Sequence, residues 1–333
     1  MIRRIDAGFV SPLRSQALYH GLAEAMDGDT PDTIVFCAPD APYFCAGYHQ
    51  NAADVLDLGL CRRRGWPVLW RKIGGGAVYL DRAQLFYQVI VHRRRAPFAV
   101  ADIYRAYLAA PVLALRRLGL DARLRAANEI EVGGRRIAGT GGGQLGEAVV
   151  VVGNVLLDFP DARMAAAWRA PSLPFRKLAR EGLRCYLTTL ARELPAPPAM
   201  DALREALAQA YAETLGAPLV AGAPSAREEA AIVAAEAALA DAAFIRAGAG
   251  RREAGLKIAR GTYVYEGRAA AAGVRVSLRV RHGVIDDVAV RGIDPRSARA
   301  LVGRPVDALA ARTATGNPAD AVGDLLATGE LGA

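Results

Sequence analysis

The sequence predicts an α+β protein: a mixed or antiparallel sheet with helices packed on it over residues 1–248, then a small α+β domain over residues 249–333. Three observations carry that expectation. Runs rich in β-branched and aromatic residues, such as 85–91 and 148–157, are interleaved with segments of helical spacing, among them 15–27, 103–118 and 199–215. Residues 128–132 and 135–138 flank Gly133-Gly134, the signature of a tight hairpin. Beyond Gly250 the pattern turns to strict alternation, and 333 residues with 53% hydrophobic composition exceed the roughly 250–300 residues that one core holds.

In chain order, residues 15–27 read as an amphipathic helix closing at Gly28, and 33–38 as a buried strand between Pro31 and the turn residues Pro39, Asp40 and Pro42. Residues 52–63 look helical, 77–79 begin a strand, and 85–91 form another, buried on at least one face. Residues 103–118 have helical spacing, with Arg116 and Arg117 suited to the negative end of the helix dipole. Pro111 falls inside, so this is a kinked helix or two short ones. Residues 148–157 make a central strand, whereas the glycine-rich stretch 139–143 reads as a loop, either unstructured or closing over a bound nucleotide. Helices are expected over 175–190 and 199–215, and Ser225-Ala-Arg-Glu228 is a capping box opening an alanine-rich helix to about Phe244. Residues 274–281 and 284–290 form a hairpin turned at Gly283, followed by short helices over 305–326.

The stretch with chemical character is Trp70-Arg-Lys-Ile-Gly-Gly-Gly-Ala-Val-Tyr-Leu-Asp81. Three glycines free the backbone to turn and approach a ligand, and Arg71 and Lys72 supply cationic donors at the entry. A bare glycine triplet also suits a hairpin turn or a linker. Downstream lie Asn128-Glu-Ile-Glu-Val-Gly-Gly-Arg-Arg-Ile-Ala-Gly139 and Gly153-Asn-Val-Leu-Leu-Asp158. In that order and separation, the three segments resemble the lipoate-protein ligases of the biotin/lipoate ligase superfamily. That family carries Arg-Arg-x-x-Gly-Gly-Gly-x-Val-Tyr-His-Asp, then Asn-Asp-Ile, Lys-Ile-x-Gly and His-His-Gly-Thr-Leu-Leu. Arg71, Gly74, Gly75, Gly76, Val78, Tyr79 and Asp81 match the first block, and Gly47-Tyr-His-Gln50 matches the family's Gly-Tyr-x-Gln.

The resemblance implies a catalytic domain of the biotin/lipoate ligase type with an accessory domain behind it. It implies ATP-dependent attachment of lipoate or octanoate to a lysine of a lipoyl-domain-type acceptor, through an acyl-adenylate. ATP, Mg2+ carried on its phosphates, and lipoate or a fatty acid are the implied small molecules. Arg136 stands where the family has its catalytic lysine, and Arg71, Gly74, Gly75, Gly76, Val78, Tyr79, Asn128, Gly139, Thr140, Gly153 and Asn154 fall on adenylate- and substrate-binding positions. Val78 and the strand near Val151 would wall the acyl slot. Departures are equally specific: Leu80, Val151 and Val152 replace histidines, Glu129 replaces Asp, Asn154 replaces Thr, and Arg136 replaces Lys. They keep open a non-catalytic or altered-substrate relative that binds lipoyl-domain proteins. An acyl-carrier-dependent octanoyltransferase working through a cysteine is disfavoured, because no cysteine lies between Cys61 and Cys185. A biotin ligase would carry a Gly-Arg-Gly-Arg loop, which is absent.

The bulk properties exclude other classes. Cys37, Cys45, Cys61 and Cys185 and the four histidines show no metal-ligand spacing, so reduced thiols in a cytoplasm and no protein metal site are expected. The net charge of +8 arises from 42 basic against 34 acidic residues, and only Lys72, Lys177 and Lys257 are lysines. The densest basic runs, 62–64 and 93–95, lack aromatic interleaving, so an acidic protein partner or a solvated face is expected in preference to nucleic acid. The most apolar run, 148–157, is about half a bilayer crossing, so no membrane insertion is expected.

Overall fold

The computed structural model describes residues 1–126, 128–240, 255–259, 261–268, 274–306 and 318–328. The expected end of the alanine-rich helix at 241–244 and half of the expected helical tail, 307–317, lie outside them. The described residues fall into two compact units.

The first unit draws on Met1–Ala52, Leu58–Phe159 and Leu187–Gly250. In the chain, β1 (Ile2–Val10), α1 (Pro12–Glu24), β2 (Thr33–Pro39), β3 (Tyr43–Ala46), α2 (Ala52–Val55), α3 (Leu58–Arg63), β4 (Val68–Trp70) and β5 (Val78–Leu80) come first. Then follow β6 (Gln84–His92), α4 (Val100–Arg117), β7 (Ala122–Arg125), β8 (Glu129–Val132), β9 (Arg135–Leu145), β10 (Ala148–Leu156), α5 (Asp161–Ala167), α6 (Leu173–Tyr186), α7 (Leu190–Glu193), α8 (Met200–Thr214), β11 (Leu219–Ala221) and α9 (Ala226–Ala240).

Eight strands form a mixed sheet in the order β11-β1-β2-β6-β10-β9-β8-β7. β1 runs parallel to β11 and β2, and from β2 onward every pairing is antiparallel. The two-residue side-chain period divides each central strand between two cores. Ile34, Phe36, Tyr87, Val89, Val151 and Val155 pack in one core with Leu108 and Leu115 of α4 and Leu207 and Tyr211 of α8. Val35, Cys37, Phe86, Ile90 and Val150 pack in the other with Leu18 and Leu22 of α1 and Ile232 of α9. With both faces covered, β6 is buried along its whole length, which explains why its apolar residues occupy both faces, with Gln88 the polar exception inside 85–91.

α4 is one uninterrupted helix through Pro111. The hairpin at Gly133-Gly134 forms as expected, both glycines having positive φ (56° and 74°). The capping box of α9 also forms, the Ser225 amide donating to Glu228 Oε2 (2.7 Å) and the Glu228 amide to Ser225 Oγ (3.3 Å). Residues 139–143 are not a loop. They are the middle of β9, paired with Gly139↔Asn154 through Gly143↔Val150 of β10.

The second unit draws on Ala53–Asp57, Pro160–Tyr186 and Arg251–Ala333. Its antiparallel sheet has the order β12 (Leu256–Ala259), β13 (Thr262–Arg268), β14 (Arg275–Arg281), β15 (Val284–Arg291). Val276, Leu278 and Val280 face a core shared with Leu301, Ala319 and Val322. The alternate residues Ser277 and Arg279 are also buried, the Arg279 guanidinium donating to Leu178 O of α6 (3.3 Å) and to Asp286 (2.6 Å). No described helix is long and apolar enough to cross a membrane.

Gly21 marks the closest approach of α1 to α9, where an added Cβ would lie 2.4 Å from the Ile232 backbone. Gly21→Ala gains about 1 kcal/mol of helix propensity, yet the clash is with backbone and prevails, so the denaturation midpoint falls by the equivalent of about 1–3 kcal/mol at unchanged m. A raised midpoint would show that the two helices separate freely.

Candidate active site

The segment joining β4 to β5 carries the glycine triplet, and its shape is set from within by Arg71. This side chain is 8% exposed and fills its valences with backbone carbonyls: Nη1 donates to Cys45 O (3.1 Å), and Nη2 donates to Gly74 O (3.1 Å) and Gly76 O (2.9 Å). A planar fork of donors makes this arrangement possible, and an ammonium could not reproduce it. The neighbouring backbones must be bare. Gly75 has φ +114°, and a Cβ there would lie 2.5 Å from Arg71 Nη2, while a Cβ on Gly47 would meet Gly75 O at 2.0 Å. Trp70 Nε1 donates to Gly47 O (2.8 Å) and the Tyr48 amide to Ile73 O (3.0 Å), so the Gly47 turn and the glycine segment brace each other.

The segment lies against β9. A Cβ on Gly141 would be 3.0 Å from Gly74 O, and one on Gly143 would be 3.6 Å from the Ile73 side chain. On the opposite face, a Cβ on Gly142 would be 3.0 Å from the Tyr104 hydroxyl. The glycines of β9 thus permit close approach from both sides, a recognised role of glycine inside a strand.

Between the segment and the sheet lies a cavity of about 140 Å³. Ile73, Val78, Leu80, Phe86 and Val152 give it apolar walls, and Gln16, Arg71, Arg136 and Asn154 bring polar groups, with backbone from Gly75, Gly76, Gly139, Thr140, Gly141 and Gly153. Strand register assembles it, because Asn154 pairs with Phe86 on one side and Gly139 on the other. Asn154 is itself fixed: Oδ1 accepts from the Gly139 amide (3.1 Å) and Nδ2 donates to Gln84 Oε1. Gln84 Nε2 continues to Tyr79 O (3.1 Å), and the Tyr79 hydroxyl donates to Asp81 (2.8 Å).

Arg136 contrasts with Arg71. Its backbone is held on both sides, by Glu131 of β8 and by the Thr188 amide on its carbonyl (2.9 Å). Arg136 lines the cavity, and among the described residues the nearest carboxylate partner of its guanidinium is Glu129 at 3.8 Å. Burial draws its pKa below the ordinary arginine value while Glu129 and Glu131 oppose the change, so at neutral pH it is a cation facing the cavity.

Residues 11–212 match the sequence model of the family described as the lipoyl protein ligase A/B catalytic domain. The chain belongs to this family. The octanoyltransferase LipM of Symbiobacterium thermophilum is 26% identical over 251 residues, covering 68% of this chain and 91% of that protein. The archaeal bipartite lipoate protein ligase, from a structural study of that ligase and its E2 lipoyl domain in Thermoplasma acidophilum, superposes with a TM-score of 0.68 at 22% identity, over 76% of this chain and 98% of that one. A lipoate-protein ligase A crystallised with ATP gives 0.64 at 21% identity, over 74% and 99%. These structural likenesses confirm the α+β fold, and the activity that follows from family membership is lipoyl or octanoyl transfer.

Of the positions that the family pattern singles out, Arg71, Gly75, Gly76, Val78, Arg136, Gly139, Thr140, Gly153 and Asn154 all line the cavity. Gly74, Tyr79, Asn128 and Gln50 do not: Tyr79 is 1% exposed and belongs to the Gln84–Asp81 relay, and Asn128 contributes its carbonyl as acceptor for the Thr140 hydroxyl. The strand near Val151 lines the cavity through Val152, Gly153 and Asn154, and Val151 itself does not. Alternation turns it into the opposite core and gives the wall to Val152. Ile73, Leu80 and Gly141 fall within the quoted segments without having been given a role, whereas Gln16 and Phe86 are lining residues that no motif announced.

The three adjacent glycines make a sharp test. Gly75→Ala is strained in φ and displaces the Arg71 fork, at a cost of about 1–3 kcal/mol. Gly74→Ala meets nothing within 4 Å and changes stability by no more than about 0.5 kcal/mol. Denaturant titration of the two variants reads the difference, and equal midpoints would contradict the fork.

Proposed function

We propose that this protein activates lipoate or octanoate with ATP and passes the acyl group from the adenylate to a lysine of a lipoyl-type acceptor domain. The observation that carries the reading is a cavity walled by aliphatic and aromatic side chains, with a charged guanidinium entering it and no thiol in its lining. Transfer by way of an enzyme thioester needs a cysteine at the acyl group. Cys37 and Cys45 are buried away from the cavity lining, with burial raising both thiols, Cys37 to about 12, so neither is a thiolate at neutral pH.

In the first step a carboxylate oxygen of the acid attacks the α-phosphorus of ATP and pyrophosphate leaves. In the second the ε-amine attacks the acyl carbon, AMP leaves, and the amine proton passes to solvent. Negative charge gathers on phosphoryl and carboxyl oxygens in both, which is where a cation held in a partly dry cavity stabilises most. Arg136 is the residue placed to do this. Arg71, also in the lining, acts chiefly by shaping the glycine backbone through its bonds to Gly74 O and Gly76 O. The cavity lining contains no carboxylate, so Mg2+ fits this chain as a companion of the nucleotide phosphates, where it would offset their charge.

Residues 249–333 are read as the accessory domain, and a cytoplasmic setting fits the reduced cysteines. An acidic acceptor surface would suit the net charge of +8.

ATP–pyrophosphate exchange with lipoate and with octanoate tests the proposal. The native protein is expected to exchange, Arg136→Ala to lose about 100-fold or more in kcat/KM, and Arg136→Lys to retain most of it. Silence from the native protein with recovery in Arg136→Lys would mean that arginine disables the site. Silence from both would leave the octanoyltransferase, read by transfer from an octanoyl carrier thioester, or a binding-only role.

A further inference from the structure

His20 lies in the middle of α1, outside every motif of the sequence, and is completely buried. Both ring nitrogens are used, and their partners fix its chemistry. Nδ1 is 2.7 Å from Gln16 O, a carbonyl that can only accept, so Nδ1 carries the proton. Nε2 is 3.1 Å from the Lys72 amide, which can only donate, so Nε2 presents its lone pair. The imidazole is therefore neutral and in one tautomer. A doubly protonated ring would set N–H against N–H at Lys72.

Lys72 is the residue between Arg71 and the cavity-lining Ile73, at the start of the glycine segment. One turn further along α1, Glu24 holds the Lys72 ammonium at 2.6 Å. α1 thus grips one residue twice, by its main chain and by its side chain. The helix is itself pressed onto α9 at Gly21 and contributes Gln16 to the cavity. The Arg71 fork ties the segment to its own carbonyls and to β3, and nothing in that fork fixes its height above the sheet. The His20–Lys72 bond adds a tie from the segment to α1.

We propose that His20 is a positioning residue for the acyl-transfer site: as a neutral acceptor it anchors the glycine segment to α1 and so sets the depth of the cavity. This rests on the reaction assigned above for its kinetic consequence only. Burial, helped by the cationic Lys72 and Arg71 and opposed by the hydrogen bond to Gln16 O, holds the His20 pKa at about 3. The unfolded chain protonates this histidine near 6.5, so it binds more protons than the folded chain between pH 6.5 and 3. The contribution of His20 to stability is complete above pH 6.5 and is lost as pH falls, by a factor of up to ten in the folding constant per pH unit. Subtracting the curve of His20→Gln, which cannot titrate, isolates that slope.

The deciding experiment compares His20→Gln, whose amide oxygen can reach Lys72, with His20→Asn, which keeps a polar side chain one methylene shorter. Hydrogen exchange of the Lys72 amide is read by NMR against the Arg71 amide, which donates to Ala46 O (3.0 Å) and serves as internal reference. His20→Asn is expected to speed Lys72 exchange at least tenfold with Arg71 unchanged. It should also lower kcat/KM for pyrophosphate exchange about tenfold, through KM more than kcat, and His20→Gln should restore both. Unchanged Lys72 exchange in a folded His20→Asn would overturn the anchor, and faster exchange with unaltered kinetics would overturn its role in the site. If the native protein exchanges no pyrophosphate, the assigned reaction fails instead. Calorimetric titration with lipoate then replaces kcat/KM, and equal affinity in native and His20→Asn proteins overturns the proposal.

Discussion

The structure depends on two glycine-bearing backbones lying against each other. Gly74 O sits over Gly141 of β9, and the Arg71 guanidinium fills the space under Gly75 that a side chain would otherwise claim. Neither contact tolerates a Cβ without displacement. An arginine desolvated on carbonyls is costly to bury unless its donors are used, and here Cys45, Gly74 and Gly76 use them. The outcome is a rigid turn where the composition suggests a slack one. Rigidity suits a site whose donors must already be in place when charge develops, because reorganisation at that moment would raise the barrier.

What was legible in the sequence was whatever local chemistry settles. The hairpin at Gly133-Gly134, the capping box at Ser225, and the central strands β6 and β10 follow from turn chemistry and apolar runs, and all are present. What was not legible depended on partners distant in the chain. Residues 139–143 look like a loop because glycine weakens an isolated strand, yet β10 supplies their ladder while β8 pairs the preceding residues 135–138, and the close approach of Ile73, Gly74 and Tyr104 supplies the reason for the glycines. β1 was missed because Arg3 and Arg4 break its apolar pattern. Their charges are met far along the chain, Arg3 by Glu228 and Thr33, Arg4 by Glu205.

The candidate site divides along the same line. Sequence blocks identified the glycines and Arg71 by residue type and Arg136 by its place in the pattern, but they gave no hint that Arg71 and Arg136 do different work. Arg71 spends its donors on main chain and Arg136 keeps its own toward the cavity, a difference that only burial and hydrogen-bond partners reveal. The Val151–Val152 pair shows the power of alternation more simply. Adjacent valines in identical chemical context face opposite cores, and one alone borders the cavity.

The departures from the family pattern are mutually consistent when taken as a group. Leu80 and Val152 replace imidazoles in the cavity wall, which makes that wall drier and lowers the local dielectric. A lysine in such a wall would lose its proton more readily, because burial disfavours its charged form and its unperturbed pKa of about 10.4 leaves little margin. The ordinary arginine pKa lies well above that of lysine, and although burial lowers it here, Glu129 and Glu131 oppose the fall and the charge survives. It is also far less nucleophilic than a lysine amine, so it does not compete with the acceptor lysine for an activated acyl group. On this argument Arg136 is not an isolated defect in a lysine-dependent site. We read it as a cation whose charge tolerates the apolar wall that Leu80 and Val152 help to build, where a lysine would keep its charge less securely.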